Sequence, residues 1–298
     1  MIKKTLILFF VLISVFGYSQ DNKYLPTHTG QIIKHKNYIL SYSEKYEQAQ
    51  WVAYELVAKE TSGIIKRDDN FRPDPVVKTG SASLNDYKGS GYDRGHLAPA
   101  ADMGFSGAAM SESFYMSNMS PQRPSFNRGI WKNLESQVRK WAKAYDKIYV
   151  VTGAVLKPGL PIIGKSRVAV PEKYYKIIFR EKAGRSNIIA FLMPNKKSDQ
   201  PLSSFVVSVD QIEKLTKLNF FPQLPDGLEN KLEAQRSAQN WNFGPYKANS
   251  KSIARVKKQT VSSKSGLCCG KTQKGTNCKR KASSGSRYCW QHKNKGKA

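Results

Sequence analysis

The sequence predicts an α+β protein. Short apolar runs of strand length recur between segments rich in turn-forming residues, and only a few segments repeat apolar residues at helical spacing. All four cysteines lie beyond residue 267, so the first 246 residues must be held by an apolar core and not by disulfides. The chain has 298 residues, 40% hydrophobic and 11% aromatic, which suffices for one large domain or two smaller ones and excludes a wholly disordered protein.

At the N-terminus, Lys3 and Lys4 precede an apolar run from Leu6 to Phe16, followed by Gly17-Tyr18-Ser19. This pattern reads as a secretory signal over residues 1–19, cleaved after Ser19, and the run is short for a membrane span. The alternative is an N-terminal anchor. The expectation is a secreted or periplasmic protein with no stable membrane association. Residues 20–34 form a lead, and alternating apolar positions then predict a strand around Tyr38–Tyr42. A second strand is predicted at Trp51–Leu56. Residues 64–92, rich in Asp, Pro, Gly and Ser, read as loop. A short β-like run at Phe114–Ser120 stops at Pro121. Asn127–Tyr145 is predicted to be a helix, because Ile130, Trp131, Leu134, Val138 and Trp141 make one apolar stripe. Lys147–Gly153 reads as a buried strand. Tyr174–Phe179 and Ile188–Met193 read as two more, and Ser208–Leu218 as a helix with Ser208 near its cap. After Tyr246 apolar periodicity ceases. Residues 247–265 are a Lys/Ser-rich linker, and residues 266–298 form a small Cys/His-rich module.

Charge separates the same regions. Lys+Arg is 49 against Asp+Glu 22, a net +27. Residues 247–298 hold 15 Lys/Arg and no acidic residue, which leaves 27 − 15 = +12 for the preceding 246. Such a balance says nothing about fold, but it points to a polyanionic partner such as nucleic acid or an anionic surface.

The residues that carry chemistry begin with Ser90-Gly91-Tyr92-Asp93-Arg94-Gly95-His96-Leu97-Ala98-Pro99-Ala100. A histidine beside Arg and Asp in a Gly-containing turn is placed to accept a proton near a bound phosphate, or else is an ordinary loop histidine. Further on stand Asn118, Asn127, Glu135 and Arg139. On one helix the eight residues from Asn127 to Glu135 turn through about 800° and rise about 12 Å, so both can face one side. Asn127 offers a neutral oxygen to a hard cation, and Glu135 can reach that cation's water shell. Mg²⁺ keeps several waters and suits so sparse a site. The plain alternative for Glu135 and Arg139 is an i,i+4 ion pair.

Together, Asp93-Arg94-Gly95-His96 followed by Asn118, Asn127 and Glu135 closely resemble the DNA/RNA non-specific endonuclease family, the endonuclease G-like ββα-metal (His-Me finger) nucleases. The resemblance covers residues 35–246 and includes Val207–Thr216 and Phe220-Phe221-Pro222. It departs from the family at Thr216-Lys217, where Thr-Gly is usual. The resemblance implies a nuclease domain at 35–246, a ββα-metal element on a central mixed or antiparallel sheet, and DNA and RNA as substrates. It implies His96 as general base and Asn127 as the ligand of Mg²⁺ or another divalent cation, with Glu135 acting through water and Asn118 as a further active-site asparagine. Arg94 and Arg139 match phosphate-holding or charge-stabilising arginines. Arg67, ahead of Phe71 and Asp74-Pro75, matches an upstream one, with Arg72 as an alternative. Asp93 is expected to shape the turn. A non-catalytic nucleic-acid-binding protein on the same fold is the competing reading. A third is a surface protein whose basic tail binds anionic envelope polymers.

In the tail, Cys268, Cys278, Cys289 and His292 have the ligand types of a closed Cys₃His zinc site, and the segment resembles a small, functionally undescribed Cys/His module. Cys269 is the thiol left over. Two disulfides are the alternative in an exported protein.

Overall fold

Near-continuous burial along the long strands, whose successive side chains alternate between faces, builds a sheet with two apolar faces. The computed structural model describes residues 24–182, 184–236, 238–244, 267–283, 287–289 and 291–292. The segments expected to be a signal, 1–19, and a linker, 247–265, lie outside the described residues. The strands are β1 (Gln31–Lys34), β2 (Ile39–Ser43), β3 (Gln48–Val57), β4 (Asp93–His96), β5 (Met119–Gln122), β6 (Lys147–Ala154), β7 (Ile162–Ile163), β8 (Val168–Ala169), β9 (Lys173–Lys182), β10 (Arg185–Pro194) and β11 (Val206–Val207). The helices are α1 (Leu84–Tyr87), α2 (Gly107–Glu112), α3 (Lys132–Tyr145), α4 (Val209–Thr216) and α5 (Asp226–Glu233). The main sheet has the order β1-β2-β3-β6-β9-β10-β11, and every pairing in it is antiparallel. β4 pairs with β5 apart from it, and β7 with β8.

On one face, Val52, Tyr54 and Leu56 of β3, Val150 of β6 and Ile178 of β9 join Trp131, Leu134, Val138 and Trp141 in one buried cluster. On the other, Trp51, Ala53, Val151, Ile177 and Phe179 pack with Val209 and Ile212 of α4 and with Phe220 and Phe221. Burying one such side chain contributes about 1.5–3 kcal/mol, so this double-sided core replaces the staples that the cysteine-free body lacks. Lys176 falls between Tyr174 and Ile178 in the alternation of β9, on the α3 face, and is fully buried. Its Nζ donates to Thr152 Oγ1 and lies 5.0 Å from the centre of the Trp131 ring.

Several elements differ from the sequence expectation. The stretch Asn127–Tyr145 is not one helix: a wide turn at Phe126–Trp131 leaves helical geometry at Gly129 (φ −107°, ψ −113°) before α3 begins at Lys132. A glycine, lacking Cβ, holds such a backbone at low cost and weakens a continuous helix. His96 ends strand β4 and is not in a turn. The β-like run Phe114–Ser120 becomes a short 3₁₀ turn (Met116–Asn118) leading into β5, which contains Pro121; a two-stranded ribbon tolerates this proline because its strands are edges. The lead before residue 35 belongs to the body: β1 pairs with β2, and the Tyr24 ring packs 4.7 Å from both Tyr149 and Phe179. In α4, the Ser208 hydroxyl accepts from the Gln211 backbone N–H, as a cap should. Contacts divide the chain into one unit through Gly244 and a second from Pro245 onward. Among the described residues no helix is long and apolar enough to cross a membrane.

Candidate active site

The β4–β5 ribbon and the helix that follows it position the site. The register sets Arg94 opposite Pro121 and His96 opposite Met119. Gly95 is what lets the strands lie so closely: a Cβ there would come within 2.3 Å of the Gln122 side chain. Arg94 and His96, two residues apart on a strand, project to the same side. They line a cleft of about 420 Å³ together with Arg67, Asn127, Arg128, Lys132, Glu135 and Arg139. Five cationic side chains thus face one carboxylate, a balance that favours a phosphodiester.

An aromatic pair packs behind the cationic side chains and His96. The Phe71 and Phe114 rings are 4.9 Å apart, with the Arg94 guanidinium 4.2 Å from Phe71, the Arg67 guanidinium 4.8 Å from Phe114, and the His96 ring 5.0 Å from Phe114. Burial, then the positive charge of Arg67 and Arg94, push the His96 imidazole down to about 3, so it is neutral at physiological pH. Its Nε2 is buried and has no hydrogen-bond partner among the described residues.

Asn127 is oriented by Asp93. Its side-chain Nδ2 donates to Asp93 Oδ2 at 2.9 Å, and Arg128 donates to both oxygens of the same carboxylate at 2.9 and 2.7 Å. Only the amide nitrogen can donate to a carboxylate, so this contact fixes which way the amide points and leaves its oxygen for a cation. Burial would raise the Asp93 carboxyl, but the hydrogen bonds from Arg128 and Asn127 outweigh it and hold the group below the usual carboxylate range. Asp93 therefore positions a neighbour, a role beyond the turn shaping expected of it.

On α3, Glu135 and Arg139 do not form the i,i+4 pair. Arg139 donates to Asp102 Oδ1 at 2.7 Å, and Asp102, fully buried, also accepts from the Tyr54 hydroxyl at 2.8 Å. No donor among the described residues is hydrogen-bonded to the Glu135 carboxylate. Burial, and secondarily the Asp102 charge, push its carboxyl up, against the opposing pull of Lys176, Arg139 and Arg67. The kink at Gly129 removes the straight-helix reason for pairing Asn127 with Glu135, yet both residues line the cleft.

Of the residues expected at the site, the structure brings together Arg67, Arg94, His96, Asn127, Glu135 and Arg139. Arg72 is elsewhere: its guanidinium bonds the Ser111 carbonyl and hydroxyl and lies over Tyr115. Asn118 requires correction. It is fully buried, its Oδ1 accepts from the Ala98 N–H, and its Nδ2 donates to the Ala98 and Ser113 carbonyls. With its amide so used it lies outside the cleft lining and fixes the backbone after His96. The sequence reading missed Asp102, Lys176 and the Phe71–Phe114 pair that packs against Arg67, Arg94 and His96. Lys176 alone carried a signal, a charge inside the apolar run Tyr174-Tyr175-Lys176-Ile177-Ile178. In the C-terminal unit, Cys268, Cys278, Cys289 and His292 come together, with ligand atoms all within 4.8 Å of one another, and Cys269 is exposed.

Comparison with known proteins gives one family. The model of the DNA/RNA non-specific endonuclease family matches residues 20–227. Human mitochondrial endonuclease G is 35% identical over 217 residues, covering 68% of this chain and 73% of that protein. Nuclease C1 of Cunninghamella echinulata var. echinulata is 35% identical over 216 residues, covering 67% and 86%. A crystal structure of the EndoG/EndoGI complex matches with a TM-score of 0.63 and 33% identity, over 66% of this chain and 88% of the matched one.

Proposed function

This chain belongs to the DNA/RNA non-specific endonuclease family, hydrolases of phosphodiester bonds, and from that premise we propose that its cleft cuts DNA and RNA with neutral His96 as general base and one Mg²⁺ held by Asn127. The observation that carries this reading is the shared cleft: a neutral imidazole, a pre-oriented asparagine oxygen and four arginines line one cavity.

Geometry and charge assign the remaining roles. His96 takes the proton of a water attacking phosphorus in line. Arg67 and Arg94, which depress its proton affinity, are also the groups a phosphate would engage. An anion bound between them offsets the arginines' share of that depression, while the larger share, from burial, remains. Arg139, anchored by buried Asp102, adds fixed positive charge to the same cavity. Asp93 holds the Asn127 amide, and Asn118 holds the backbone that follows His96.

The donors fit a hard cation. They are an amide oxygen freed by Asp93 and a carboxylate without hydrogen-bond donors, and no sulfur lines the cleft. Asn127 would hold the ion, and Glu135 would do so through water. Bound there, Mg²⁺ supplies charge stabilisation for the phosphoryl and leaving oxygens. The leader pattern at residues 1–19 supports export to the periplasm or medium. The fifteen cations of residues 247–298 support a tail that grips the phosphate backbone of the substrate.

Plasmid cleavage on a gel tests the reading. The purified protein with Mg²⁺ should cut, EDTA should stop it, and His96→Ala should lose at least roughly 10²-fold in rate while still binding DNA. A His96→Ala protein that cuts at the wild-type rate removes His96 from the mechanism.

A further inference from the structure

The described residues of the C-terminal unit have almost nothing apolar to fold around. Among its described residues the buried side chains are Cys268, Cys278 and Cys289, while Leu267 and Tyr288 are 65% and 40% exposed. A segment this short and this basic needs a staple to hold one structure.

The sulfurs supply one. Cys268 Sγ and Cys289 Sγ lie 3.3 and 3.4 Å from His292 Nδ1, and Cys278 Sγ lies 4.0 Å from Cys289 Sγ. A tetrahedral ion with about 2.3 Å to sulfur and about 2.0–2.1 Å to nitrogen has S···S edges of about 3.8 Å and S···N edges of about 3.5 Å. The observed separations fall around those edges. A disulfide needs its sulfurs about 2.05 Å apart, and all four cysteines are free. Cys269, which the two-disulfide arrangement requires, is exposed and outside the cluster.

The backbone around the cluster supports ligation. The Gly270 N–H donates to Cys268 Sγ at 3.3 Å, a contact that stabilises a thiolate. A Cβ at Gly270 would lie 2.6 Å from His292 Cγ, so glycine there makes room for the imidazole. The His292 N–H donates to the Cys289 carbonyl at 2.9 Å, closing the turn that brings both ligands to one side.

We propose that Cys268, Cys278, Cys289 and His292 bind one zinc ion through three thiolate sulfurs and Nδ1, and that this ion takes the place of an apolar core in the C-terminal unit. Four protein ligands leave no open position, so the ion is structural and does no chemistry. Three thiols give up their protons to solvent as the ion binds. Lys271, Lys274, Lys279, Arg280, Lys281 and Arg287 are exposed around it, and loading the metal holds these six cations in a fixed array. The proposal stands whether or not the body cuts nucleic acid.

The test uses full-length protein purified without chelator, its metal measured by mass spectrometry and its thiols by a disulfide reagent. The expected result is about one zinc per chain and one reactive thiol, rising to four after the metal is stripped. Cobalt(II) in place of zinc should give the visible bands of a tetrahedral thiolate site. Cys289→Ser should lose the ion and Cys269→Ser should keep it. Because Cys289→Ser can fail by misfolding, His292→Cys serves as a second variant. It should retain the ion and move the cobalt bands to lower energy. Reduced protein that takes up neither zinc nor cobalt overturns the proposal. So does freshly purified protein with every sulfur in a disulfide, or loss of the metal in Cys269→Ser.

Discussion

The nuclease body and the C-terminal unit both carry an excess of cations, but they are held together by different means. The body carries +12 over 246 residues and buries tryptophans, tyrosines and isoleucines on both faces of a seven-stranded sheet. That rigidity lets it place a few arginines to within the tolerance of chemistry: Arg139 on Asp102, Arg94 on Phe71, Arg67 on Phe114. The tail carries 15 cations with no acidic residue and buries three cysteines. Charge held by a large core can be aimed at one phosphorus. Charge held by a small ligand cluster can only be presented along a backbone. On this account catalysis belongs to the body and substrate affinity largely to the tail, and perturbing one should leave the other intact.

The sharpest separation should come from the metal-holding residues of the body. Asn127→Ala removes the proposed direct ligand and should lower the cleavage rate by roughly 10³-fold, the several kcal/mol a bound cation supplies. Glu135→Ala, acting through water, should cost about 10–100-fold. Neither should change the slope of DNA affinity against salt by more than a small amount, because neither removes a cation. Mg²⁺ titrations of the cleavage rate check the order. Should Glu135→Ala prove the more severe of the two, with Asn127 dispensable, the ligand assignment is reversed.

A second effect concerns the body's stability. His96 takes a proton near pH 6.5 when unfolded but only near pH 3 when folded, because burial and two arginines oppose the charge. The unfolded chain therefore binds the extra proton between those values. Stability should fall by about 1.4 kcal/mol per pH unit as pH drops from 6.5 towards 3, and remain flat in this respect above 6.5. His96→Gln should lack that slope. Denaturant melts in EDTA at pH 7, 5.5 and 4.5 measure it, and parallel slopes for the two proteins would contradict the buried neutral imidazole.

The smallest effect lies at the end of α4. Lys217 sits in the left-handed region at φ 61°, ψ 24°, the conformation that favours glycine at the end of a helix. Lys217→Gly should stabilise the body by about 1 kcal/mol, read as a rise in melting temperature with unchanged cleavage. No rise would mean that the Lys217 side chain makes a compensating interaction.

The two regions also differ in how much of them the sequence reveals. The strand at Ile39–Ser43 announces itself through alternating apolar positions, those at Gln48–Val57, Lys147–Ala154, Lys173–Lys182 and Arg185–Pro194 through apolar runs of strand length, and α3 through its stripe. The ribbon β4–β5 does not, because Asp93-Arg94-Gly95-His96 is polar and pairs only with Met119–Gln122. The kink at Gly129 is hidden because the apolar stripe continues through it. Within the site, the residues that line the cleft are legible as a motif with fixed spacing. Their supports are not: Asp93 serves Asn127 across 34 positions and Asp102 serves Arg139 across 37, and nothing local marks such pairs. Asn118 fits the motif and yet faces the core, since spacing reports which residues occur together and not which way a side chain points. In the tail, ligand types and the Cys-x₂-His ending were legible, but only the fold separates the four clustered ligands from exposed Cys269.

Removal of the tail tests the division of labour most directly. The chain truncated after Tyr246 loses 15 positive charges and all four cysteines but no residue of the cleft. Its cleavage rate at saturating DNA should match that of the full-length protein. The slope of log affinity against log salt should flatten by several units, each unit corresponding to about one phosphate that the tail neutralises in the full-length protein. A folded truncated protein with an unchanged slope would contradict the account, and so would one that binds normally but no longer cuts.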